Sequence, residues 1–120
     1  MNNKKAELKR SYKENPPLAG IFKITNKTNG KIYIDKGLNV RGILNRHEFQ
    51  LKNGSHKNSE LQRDWEKFGA ENFTLDIIDH LKPSANPSID INDELAELES
   101  IWLNELAPYD TKGYNTPAKK

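Results

Sequence analysis

The chain has 120 residues, a net charge of +2 and no cysteine. That length suits one domain with its own hydrophobic core, and the lack of cysteine excludes disulfides and thiolate-based zinc or redox sites. No stretch approaches the length of a membrane span and residues 1–17 contain no apolar run, so no membrane partner is expected and the cytoplasm is the expected compartment.

Charge is unevenly placed along the chain. Residues 1–68 hold 15 Lys/Arg against 7 Asp/Glu, whereas residues 69–111 hold one Lys (Lys82) against 10 acids. Such polarity suits a basic face for nucleic-acid phosphate and an acidic face for a basic protein partner; a solvated surface with segregated charge also accounts for it.

In chain order, residues 1–17 read as a basic N-terminal arm closed by Pro16-Pro17, followed by a domain over 18–115 and a tail over 116–120. Residues 20–35, GIFKITNKTNGKIYID, are two alternating β-branched runs joined by Asn29-Gly30, the signal for a tight hairpin turn. Lys36-Gly37 then turns the chain into a helix capped by Asn39, with Val40, Leu44, His47 and Leu51 as its stripe and Ile43 at the edge. A second helix starts near Asn58 or Ser59, buries Leu61, Trp65 and Phe68, and ends at Gly69. FTLDII at 73–78 is a strand, and the Pro/Ser/Asn-rich segment after it is a surface loop. The last helix, about 92–106, carries Leu95, Leu98, Trp102 and Leu106. The order β-β-α-α-β-α predicts an α+β fold, a three-stranded antiparallel sheet with helices packed over it.

Glu99 falls inside the apolar stripe of the last helix, four residues after Leu95 and three before Trp102. A carboxylate there costs several kcal/mol in desolvation unless it is received. A bound divalent ion, an internal ion pair or a stripe edge reaching solvent each accommodates it. His47 lies mid-stripe on the first helix; a satisfied core histidine and a functional one both fit. Tyr33 reads as core with its hydroxyl bonded, and Asn115 as a turn residue.

Taken together, these features resemble the GIY-YIG nuclease superfamily. The resemblance runs from Gly20 to Asn115 through GIF…YID, Asn45-Arg46-His47, LQRDWEKFGAENF, the ExxW from Glu99 to Trp102, and the closing GYN. It implies a DNA endonuclease that hydrolyses phosphodiesters with one Mg²⁺ (or Mn²⁺) on Glu99. Tyr33 would activate or position the attacking water, with His47 and Asn115 completing the site. It further implies DNA as partner, held through the phosphate backbone with weak sequence preference, because no reading domain is attached.

Three positions depart from the family pattern. Phe22 replaces the GIY tyrosine and lacks its hydroxyl. Asp35 replaces the YIG glycine, adding bulk and negative charge. Ile43 stands where the family has its catalytic arginine, four residues before the histidine. A lost general base is worth about 10²- to 10⁴-fold in rate, and a transition-state arginine about 10³ to 10⁵. Arg46, about 60° around the helix from Ile43, is the candidate substitute. The implied activity is therefore a weakened nuclease; the alternative is an inactive scaffold (a pseudoenzyme) that binds DNA or a protein.

Overall fold

A computed structural model describes residues 18–82 and 88–117; the basic arm of residues 1–17, with Pro16-Pro17, lies outside the described residues. Three strands, β1 (Gly20–Asn26), β2 (Ile32–Gly37) and β3 (Phe73–His80), form an antiparallel sheet in the order β2-β1-β3. Three helices accompany them: α1 (Val40–Asn53), α2 (Ser59–Phe68) and α3 (Ile91–Leu106). A 3₁₀ turn, Ala70–Asn72, leads into β3.

Strand β1 is central and contributes buried apolar residues to both faces. Phe22 and Ile24 face one way and pack with Tyr33, Val40, Leu44, Leu51, Leu61 and Trp65 from β2, α1 and α2. Ile21 faces the other way and packs with Ile34 and Leu95, with Leu98 and Trp102 alongside. The sheet is thus sandwiched, α1 and α2 over one face and α3 over the other. Register settles which face each residue of the edge strand β2 serves: Tyr33 pairs with Ile24 and Asp35 with Phe22, whereas Ile34 pairs with Lys23 and Lys36 with Ile21. Paired residues share a face. Tyr33 and Asp35 therefore look toward α1, and Ile34 and Lys36 toward α3.

Caps set the helix boundaries where the side chains are right for it. Asn39 Oδ1 accepts the Gly42 N–H and Asn58 Oδ1 accepts the Leu61 N–H, satisfying donors that have no intrahelical partner. Asp90 does the same for α3 through Asn92. Among the described residues no helix is long and apolar enough to cross a membrane.

Three local expectations are revised. The hairpin is not a two-residue turn on Asn29-Gly30: the loop spans residues 27–31, and Gly30 N–H bonds back to Asn26 O at φ +79°. The side chains of Asn26 and Asn29 each accept a backbone N–H two residues on, and these local turns widen the loop. Strand β2 runs on through Lys36 to Gly37 rather than turning there. Strand β3 continues past the apolar run to Asp79 and His80, because their backbones pair with Ile21 and Gly20, and ladder pairing needs no apolar side chain.

Candidate active site

A cleft opens where the end of β2 meets α1. It is lined by Asp35, Lys36, Ile43, Arg46, His47, Gln50 and Lys57. Three of these are cationic and one is an acid, so the local field favours an anion.

His47 sits at the cleft floor, 6 % exposed, with its ring centroid 4.8 Å from Phe22 and 5.8 Å from Tyr33. Phe22 is fully buried; with no hydroxyl, its ring serves as the packing surface behind the histidine. His47 Nδ1 lies 2.7 Å from Nε2 of His56. The direction of this bond is set at the far end of the pair. The Asn58 backbone N–H donates to His56 Nδ1 at 3.0 Å, so the neutral His56 ring carries its proton on Nε2 and donates it to His47 Nδ1. The neutral His47 ring then holds its proton on Nε2, which lies 3.8 Å from Asp35 Oδ2 at the cleft.

Burial lowers the pKa of His47, with Lys57 and Arg46 adding to the effect and Asp35 opposing it. His56 is pushed down to about 4, first by burial and then by His47 and Lys57. The pair is neutral at pH 7, and what it presents to the cleft is an N–H donor. His56 gives no signal in the sequence: it follows the helix in a loop, outside any periodic pattern. Its place depends on Gly54, which ends α1 in the left-handed region at φ 77°, and on Gln62. The buried Gln62 accepts the His56 N–H at 3.0 Å and donates to Leu51 O at 3.0 Å, tying the loop to both helices.

Tyr33 is 6 % exposed. Burial first, then the neighbouring Asp35 and Glu99 carboxylates, raise its pKa well above the ordinary phenol value. It is a protonated hydroxyl at physiological pH. Asp35 also receives Lys57 Nζ at 3.7 Å, so the acid in the glycine position is partly neutralised by a cation of the loop that carries His56.

Ile43 lines the cleft and packs flat on Gly37: a Cβ on that glycine would stand 2.6 Å from Ile43 Cγ1. Arg46 reaches the same cleft from the next position round the helix. Asn115 lies behind it. Its Oδ1 accepts the Ile34 N–H at 2.9 Å and its Nδ2 donates to Ile34 O at 2.8 Å, so its amide extends the free edge of β2 in the manner of a neighbouring strand. Tyr114 locks the same segment, donating from its hydroxyl to Asp64 Oδ2 at 2.7 Å and accepting from Asn26 Nδ2 at 3.1 Å. Burial pushes its pKa up to about 12.

Glu99 approaches from α3, across the edge strand, and its Oε1 accepts from Lys36 Nζ at 2.7 Å. One of the accommodations open to it in sequence, the internal ion pair, is therefore formed. Among the described residues no group of three His, Cys, Asp or Glu is arranged to hold a metal ion. Mg²⁺ bonds oxygen at about 2.0–2.1 Å in a near-ideal octahedron, and an ammonium hydrogen-bonded to the same carboxylate competes with it for charge and space. As arranged, these residues do not fit a resident ion at Glu99.

No family model matches the chain. Over 97 residues it is 29 % identical to intron-associated endonuclease 1 of Enterobacteria phage T4, covering 81 % of this chain and 36 % of that protein. Among solved structures it is similar to the catalytic domain of the intron endonuclease I-TevI in a mutant form (TM-score 0.65, 28 % identity, 82 % of this chain and 92 % of that one). It is equally similar to the catalytic domain of the homing endonuclease I-TevI (TM-score 0.64, 28 % identity, 83 % and 99 %). The β-β-α-α-β-α order and the three-stranded antiparallel sheet match the fold of that catalytic domain, which is a GIY-YIG domain. The chain is homologous to the T4 endonuclease I-TevI and matches its catalytic domain in fold, while spanning about a third of the curated relative's length.

Proposed function

We propose that this domain is a DNA phosphodiesterase of the GIY-YIG kind, working slowly at the β2–α1 cleft. The observation that carries it is His47 at the cleft floor, its ring packed against Tyr33, with a rim of Arg46, Lys36 and Lys57. Homology to an endonuclease supports DNA as the substrate.

In hydrolysis a water oxygen bonds to phosphorus as an ester P–O bond breaks, and negative charge grows on the phosphoryl oxygens. The rim cations hold the phosphodiester and offset that charge. His47 Nε2–H and the Tyr33 hydroxyl are donors, suited to orienting the phosphate oxygens and the attacking water rather than removing a proton. Asp35 Oδ2, on the cleft beside His47, is the acceptor available to the water. Asn115 acts through β2, fixing the strand that carries Tyr33 and Asp35. Nuclease ancestry brings an expectation of divalent-ion dependence; Lys36 stands against it at Glu99, and no step above passes through a metal. The rim cations meet phosphate, which every DNA sequence carries, so the sequence preference of this reading is weak.

A second reading, a scaffold that binds DNA without cutting it, is favoured by one observation: Ile43 fills the place of the family's phosphate-clamping arginine. Nicking of supercoiled DNA by the wild type, with Tyr33→Phe purified identically, separates the two. Slow nicking that falls in Tyr33→Phe supports the phosphodiesterase. DNA binding without nicking supports the scaffold.

A further inference from the structure

We propose that the Lys36 ammonium is the resident cation of Glu99, so that the cleft takes up a DNA phosphodiester without a divalent ion and Glu99 becomes a metal site only when Lys36 is removed. The inference rests on the phosphodiester-binding reading above and specifies its cation.

The register of the hairpin places the lysine there. Lys36 pairs with Ile21, on the sheet face that α3 covers, and Glu99 occupies the polar gap in the stripe of that helix. The two meet at 2.7 Å, the lysine side chain 38 % and the glutamate 18 % exposed. A charge-assisted bond at this distance, to the less exposed partner, satisfies a carboxylate that would otherwise be costly to bury. Lys36 is also a lining residue of the cleft, so it joins the two sides of the edge strand, and the ammonium has two further donors beyond the one given to Glu99.

Charge points the same way. Asp35 and Glu99 are opposed by Lys36, Arg46 and Lys57, leaving one net positive charge to meet the single negative charge of a phosphodiester. A dication at Glu99 would leave three, with Lys36 held beside it. The departures from the family pattern thus fit together: an added acid at residue 35 comes with lysines on both acids, and the cleft balances without metal.

The test compares Mn²⁺ binding, followed by its paramagnetic resonance signal, in the wild type, Glu99→Gln, Lys36→Met and Lys36→Met/Glu99→Gln. Lys36→Met keeps the apolar stem, and circular dichroism and melting confirm that each variant is folded. The expected result is that Lys36→Met binds Mn²⁺ about tenfold or more tightly than the wild type, and that Glu99→Gln removes the gain. Tight wild-type binding that Glu99→Gln alone abolishes would overturn the assignment. A labelled duplex provides the second readout. Wild-type affinity at matched ionic strength should be the same in EDTA and in Mg²⁺, and a requirement for Mg²⁺ would also overturn it. Absence of duplex binding under both conditions would remove the phosphodiesterase reading, while the Mn²⁺ comparison would still decide the role of Lys36.

Discussion

His56 Nε2 stands 2.7 Å from His47 Nδ1, and the Asn58 N–H on the opposite side of the His56 ring makes His56 the donor. A backbone amide at the start of α2 thereby fixes which nitrogen of His47 faces the cleft.

Stability follows from the same pair. His56 titrates at about 4 in the fold against an ordinary 6.5, and His47 is lowered as well. As pH falls, the unfolded chain takes up these protons first, so this contribution is complete above pH 6.5 and is lost progressively down to about pH 4. Urea denaturation at pH 7.5 and pH 4.5 should show the wild type losing about 2 kcal/mol more than His56→Gln, which lacks one titration. Equal losses would contradict the buried neutral pair.

Asn115 makes two hydrogen bonds to the backbone of Ile34. Asn115→Ala leaves that N–H and C=O on the edge of β2 without partners and should cost about 1–3 kcal/mol in chemical denaturation. Asn115→Asp retains the acceptor but loses the donor, and should also be destabilised. An unchanged denaturation midpoint in both would show that the edge does not need this clamp.

Arg46 lines the cleft beside Ile43. Arg46→Ala should weaken duplex binding about equally for unrelated sequences and reduce the slope of log affinity against log salt by about one. A loss confined to one sequence would indicate base readout instead.

The sequence made the fold legible because each level agreed: alternation in the hairpin, Asn caps at residues 39 and 58, and Trp65, Leu95 and Trp102 at helical spacing. The site was less legible, for reasons that differ by residue. His56 reaches His47 only through a left-handed Gly54 and the Gln62 bridge, and loop geometry of this kind leaves no periodic trace. The Asn115 clamp joins residues 81 apart in sequence, and a turn-forming Asn looks the same whether or not its amide is engaged. The Lys36–Glu99 pair was half visible: Glu99 stood out on an apolar stripe, but Lys36 read as a turn residue, and only the extension of β2 through Lys36 and the packing of α3 on that face bring the two together.

Ile43 bears on the central claim most directly, because it lines the cleft at the position to which the resemblance assigns an arginine. Replacing it with that arginine tests whether the surrounding residues still form a hydrolytic site. Nicking of supercoiled plasmid by Ile43→Arg, measured with and without Mg²⁺, should exceed that of the wild type by about 10²-fold or more. Adding His47→Ala in the same background should abolish the gain. A folded Ile43→Arg protein that binds duplex DNA yet nicks no faster than the wild type would contradict the account of a weakened phosphodiesterase.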